Sequence, residues 1–90
     1  MRVARRLTIG GHVQGVGFRH FAREAAVREG ATGWVRKLQD GRVEAHVEGE
    51  AEAVIRLERV LRQGPRGARV EDVDVDADEP SGGYVDFTIR

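Results

Sequence analysis

Nine consecutive residues, Gly11-His12-Val13-Gln14-Gly15-Val16-Gly17-Phe18-Arg19, place the strongest constraint on how this chain can fold. Before them, Val3, Leu7 and Ile9 fall on odd positions with Arg6 and Thr8 between, the period-two pattern of a strand over about residues 3–10. After them, Phe18, Phe21, Ala22, Ala25 and Ala26 recur at helical spacing and predict an amphipathic helix from about Phe18 to Glu29, stopped by Gly30. The nine residues are therefore a strand-to-helix connection. Three glycines in so short a loop let several backbone N–H groups turn toward one point, where the helix N-terminus adds partial positive charge. Arg19 adds a planar fork of donors matched to phosphate oxygens. The connection reads as an anion cradle suited to a phosphoryl group. A tight turn that binds nothing is the plain structural alternative.

The rest of the chain continues the alternation. Thr32 to Leu38, with Trp34, Val35 and Leu38, predicts a second strand, and Asp40-Gly41 is a two-residue turn suited to a tight hairpin. Val43, Ala45 and Val47 alternate with Arg42, Glu44, His46 and Glu48, a third strand with one wet face. Gly49 opens a second helix, with Glu50 and Glu52 in its first turn and Arg59 and Arg62 in its last, as the helix dipole favours. Its buried stripe is Val54, Leu57, Val60 and Leu61, and Gly64-Pro65 ends it. Val70, Val73 and Val75 mark a fourth strand, Pro80-Ser81-Gly82-Gly83 a turn, and Val85, Phe87 and Ile89 a short final strand. This order predicts an α+β fold, a ferredoxin-like two-layer sandwich: βαββαβ plus a short C-terminal strand, an antiparallel sheet with both helices on one face. Residues 1–90 are expected to form a single domain.

Composition excludes several function classes. Lysine and arginine number 15 against 15 acidic residues, and that balance disfavours a general nucleic-acid or membrane-surface role. An RNA-binding domain of the same architecture is further disfavoured because the strands lack paired exposed aromatics. There is no cysteine, hence no disulfide, thiolate metal site or cysteine nucleophile. No apolar run approaches membrane-spanning length and no secretory core is visible, so a cytoplasmic protein is expected. His12, His20 and His46 lack metal-like spacing, and His12, next to the loop, reads as a bystander at its rim. Trp34, Phe18 and Phe21 read as core aromatics. Asp72, Asp74, Asp76, Asp78 and Glu79 read as the solvent face of a strand, not a cation site.

Across essentially its whole length the chain resembles the acylphosphatase family. The nine residues fit the family's first signature, G-x-V-Q-G-V-x-[FY]-R. The second, G-[FYW]-[AVC]-[KRQAM]-N followed at fixed spacing by G-x-V and G, is met by Gly33-Trp34-Val35-Arg36, Gly41-Arg42-Val43 and Gly49, with one departure: Lys37 stands where the signature has asparagine. The resemblance implies hydrolysis of acyl phosphates, without metal or cofactor, to carboxylate and inorganic phosphate. It also implies a phosphate-binding loop formed by Gly15, Val16, Gly17, Phe18 and Arg19, with Arg19 catalytic. The partners implied are small molecules only, with no nucleic acid or membrane, and the expected state is a monomer.

The family's second catalytic residue, the asparagine that orients the attacking water, corresponds here to Lys37. An asparagine amide both donates and accepts without charge; a protonated lysine has three donors and no acceptor. A neighbouring phosphate favours the charged lysine, so Lys37 is expected to strengthen anion binding and impair turnover. The chain has no asparagine, and nothing in the sequence places Gln14 or Gln39 as a substitute. Arg36 should face the other side of its strand. The alternative function is a catalytically silent phosphate- or anion-binding module of the same fold.

Overall fold

The computed structural model describes residues 1–90. Strand β1 (Arg2–His12) leads into α1 (Phe18–Glu29), followed by β2 (Thr32–Lys37), β3 (Val43–Glu50), α2 (Ala51–Gln63), β4 (Arg69–Asp78) and β5 (Phe87–Ile89). The sheet runs β4-β1-β3-β2-β5. Its four long strands pair antiparallel, as expected, but β5 pairs parallel with β2 and makes the sheet mixed. The cause is the connection from β4, which crosses the face of the sheet before β5 begins on the far edge.

Alternation decides the layers. Leu7 lies between Ala45 and Val75, and Ile9 between Val43 and Val73, so the apolar side chains of three strands share one face. Against that face α1 packs Phe18, Ala22, Ala25 and Ala26, and α2 packs Val54, Leu57 and Leu61, in one continuous core. Full burial of side chains such as Leu7, Ile9, Leu57 and Leu61 stabilises the fold by about 1.5–3 kcal/mol each. The alanines of α1 let that helix lie close to the sheet. Arg56 of α2 donates to Glu29 of α1 at 2.7 Å and ties the helices at their solvent side.

Two boundaries and one buried face differ from expectation. Gly49 does not open α2; it pairs with Val3 and Glu50 with Arg2, so the β1–β3 ladder continues and the helix starts at Ala51. Val60 is only half-buried, and Ala53 joins the buried face of α2 instead. Val85 belongs to no strand and is 93% exposed, because pairing with β2 begins only at Phe87.

The face opposite the helices has its own small buried layer. Glu48 is fully buried there, and its carboxylate accepts from His46 Nε2 at 2.6 Å, from the Ser81 and Gly82 backbone N–H groups at 3.0 and 3.1 Å, and from Ser81 Oγ at 2.9 Å. Trp34 stacks on His46 and donates Nε1–H to Tyr84 Oη at 3.2 Å, and the Arg90 guanidinium lies 4.6 Å from its ring centre. Trp34 is thus buried as expected, but by this loop and not by the helices. Burial alone would push the Glu48 carboxyl up; the bonds from His46, Gly82 and Ser81 outweigh it and hold the group at about 2, below its ordinary 4.5.

A carboxylate whose value is lowered on folding stabilises the native state above its unfolded value, and that contribution disappears as pH falls through the folded one. The stabilisation from Glu48 is therefore complete above about pH 4.5 and is lost toward pH 2. Glu48→Gln should lower stability at pH 7 by about 2 kcal/mol. Urea unfolding from pH 7 to 2 checks this: the variant should lose less stability across the acid window than the parent, and parallel curves would assign the acid sensitivity to other groups.

Candidate functional site

The loop between β1 and α1 closes round a concave site of about 100 Å³ lined by Val13, Gln14, Gly15, Gly17, Phe18, Arg19, His20 and Val43. That volume suits a small oxyanion and is well below the 300–1,000 Å³ of pockets for drug-sized ligands. Gly15 and Gly17 take φ values of 70° and 74°, the left-handed region that a side chain penalises. Gly17 is the N-cap of α1 and has no side chain to cap with, so no side-chain oxygen competes for the first helical N–H groups. The first turn of α1 contains no acidic residue. The helix terminus therefore keeps its partial positive charge for a ligand.

Arg19, in that first turn, is half-buried and lines the site. Five arginines of the chain are held by carboxylates, Arg6, Arg36, Arg42, Arg56 and Arg62, but Arg19 has no acidic partner. Its guanidinium is free to meet an anion. Phe18 anchors the loop from below, 2% exposed and packed in the main core, so the cradle rests on rigid structure. Val16 sits within the loop but does not line the site; it packs toward the core, and only its backbone is available to a ligand.

Lys37 is the last residue of β2, exposed and in no ion pair. It pairs with Val43, which lines the cradle, and paired residues of an antiparallel ladder share a face. Register thus brings Lys37 to the cradle's side of the sheet while leaving its side chain outside the immediate wall. Arg36 faces the other way, as expected: it donates to Glu44 at 2.7 Å and lies 5.4 Å from the Trp34 ring centre. Of the histidines, His12 is on a separate groove beside Arg69, His46 is buried in the Glu48 layer, and His20 lies at the exposed edge of the cradle.

The β2–β3 connection is longer than a two-residue turn. The Leu38 N–H donates to the Arg42 carbonyl across Gln39, Asp40 and Gly41, and the Asp40 carboxylate accepts from the Arg42 backbone N–H. That loop offers the Gly41 carbonyl to Gln14, whose Nε2 donates to it at 2.7 Å. The two signature segments are therefore tied side chain to backbone. Sequence alone could not place Gln14, because the bond spans 27 residues and depends on the shape of the turn. A larger open groove of about 470 Å³, between α1 and β5, has no comparable convergence of donors.

The acylphosphatase family profile matches residues 5–89. An acylphosphatase of Rubrobacter xylanophilus is 53% identical over 85 residues, covering 94% of this chain and 77% of that protein. One of Pseudomonas paraeruginosa is 51% identical over 89 residues, covering 99% and 97%. The crystal structure of acylphosphatase from Bacillus subtilis superposes with a TM-score of 0.94 at 33% identity, covering 98% of each chain.

The cradle's dependence on left-handed backbone can be checked with two glycines of one helix. Gly17 and Gly30 cap opposite ends of α1 at φ 74° and 72°, and an added Cβ at either would meet nothing within 4 Å. Alanine at each should cost a similar ~1 kcal/mol in urea unfolding, from backbone strain alone. Only Gly17→Ala should weaken inorganic phosphate binding by calorimetry, and equal affinities for the two variants would remove the loop backbone from the site.

Proposed function

This chain belongs to the acylphosphatase family, and we propose that it hydrolyses acyl phosphates with the β1–α1 loop as its phosphoryl cradle. The observation that carries this reading is Arg19, an unpaired guanidinium on the wall of a small concave site at an uncapped helix N-terminus. In the proposed assignment the backbone of Gly15, Val16, Gly17 and Phe18, together with Arg19, holds the phosphoryl oxygens. The residues 1–90 act as one unit, a cytoplasmic monomer, on a small-molecule acyl phosphate, and the reaction needs no metal or cofactor.

An acyl phosphate brings its own leaving group, a carboxylate. Water attacks phosphorus, the bond from phosphorus to the acyl oxygen breaks, and its electron pair leaves with the carboxylate. The catalyst must collect the phosphoryl oxygens, offset developing charge and aim one water in line. Fixed N–H groups and a guanidinium in a preformed cradle do the first two without reorganisation. No cysteine is present and no acidic side chain lines the cradle, which fits direct attack by water.

Lys37 bears on the third task. Its ammonium donates and cannot accept, so it attracts the phosphoryl group without fixing the lone pair of the water. Benzoyl phosphate hydrolysis by the parent, Lys37→Asn and Arg19→Ala tests the assignment. Lys37→Asn should raise kcat by about 10²–10³ and weaken phosphate binding modestly. Arg19→Ala should lower both binding and turnover. Equal turnover of the parent and Lys37→Asn would remove Lys37 from the reaction. An inert Lys37→Asn that still binds phosphate would favour a binding module.

A further inference from the structure

We infer that Gln14 orients the attacking water and so takes over part of the task that Lys37 cannot perform. This rests on the cradle reading above. Among the side chains that line the site, Val13, Phe18 and Val43 are apolar and Arg19 can only donate. Gln14 and His20 remain as possible acceptors. His20 is exposed and no protein group holds its ring, so its orientation is free. Gln14 is half-buried and held.

The way Gln14 is held determines which atom it offers. Gly41 O can only accept, so the amide must present its NH₂ to it, at 2.7 Å. Oε1 is the atom left over, with no donor within the protein. A neutral, fixed acceptor on the same wall as the donor-only Arg19 guanidinium is the complement a phosphoryl-bound water needs: one proton directed at Oε1 aims a lone pair elsewhere. The same bond links the cradle to the connection that follows Lys37, so one residue both sets the distance between the two signature segments and presents the acceptor. Gln39, the other candidate amide near Lys37, is exposed and does not line the site.

Benzoyl phosphate kinetics and inorganic phosphate calorimetry on the parent, Gln14→Met, Lys37→Asn, the double variant and Arg19→Ala test the inference. Methionine keeps the length of Gln14 and removes donor and acceptor together. Gln14→Met should lower kcat by about 10²-fold with phosphate affinity within about twofold of the parent. In the Lys37→Asn background the same change should cost less than about threefold, because the asparagine supplies a second neutral acceptor. An unchanged kcat overturns the inference. So does a kcat loss that is equal in both backgrounds or matched by lost phosphate affinity, since a purely structural clamp would behave that way. If Arg19→Ala binds phosphate as the parent does, the cradle reading falls as well; if only the Gln14 variants disobey, the cradle stands without it.

Discussion

The pairing of β3 between β1 and β2 is the constraint on which the rest of the molecule depends. One row of that ladder runs Ile9, Val43, Lys37 across three strands. Ile9 belongs to the core under the helices, Val43 is both core and cradle wall, and Lys37 ends the row at the rim. A slip of one residue between β2 and β3 would put Arg36 beside the cradle and turn Lys37 to the opposite face. The burial pattern of β2 forbids that slip, because it would also turn Val35 out of the core and carry Trp34 away from the Glu48 layer. Core energetics and site geometry are thus one requirement.

The two faces of the sheet solve different problems. The helix face is apolar and needs only complementary volume. The other face must return the chain from β4 to the far edge, and it does so with a buried carboxylate. Glu48 gathers two backbone N–H groups, a hydroxyl and an imidazole, so its charge is compensated where an apolar residue would leave the Ser81–Gly82 backbone unpaired. That directs the loop past Tyr84 and sets where β5 joins β2. The parallel edge strand thus depends on a polar contact in the connection as well as on Phe87, which β5 adds to the main core.

That division explains what could be read from the sequence. α1 from Phe18 to Glu29 and the long strands are written in local periodicity. The parallel β5, the exposure of Val85 and the burial of Trp34 beneath a loop depend on Glu48, whose position in an alternating strand marked it only as solvent-facing. Gln14 was visible as a residue of the first signature but not as a partner of Gly41, since the three-residue turn that presents that carbonyl is set by backbone bonds. Local pattern gave elements; long-range polar contacts gave the details of the site.

Lysine and asparagine at position 37 differ in which state of the reaction they favour. On the proposed assignment, a flexible ammonium at the rim would attract the substrate's phosphoryl group, the transition state and the phosphate product by nearly the same amount, because all three carry comparable negative charge. Interaction that is uniform across these states tightens binding without lowering the barrier from the bound substrate. It also retards departure of the product. A neutral acceptor acts on the water, whose orientation is demanded only as the new bond forms, so it lowers that barrier selectively. The cradle with Arg19 already supplies cationic charge in fixed form, and a second, mobile cation adds little that is specific to the transition state. What neither cation supplies is an acceptor held in place, and the half-buried Gln14 amide tied to Gly41 is the group in this fold that meets that description.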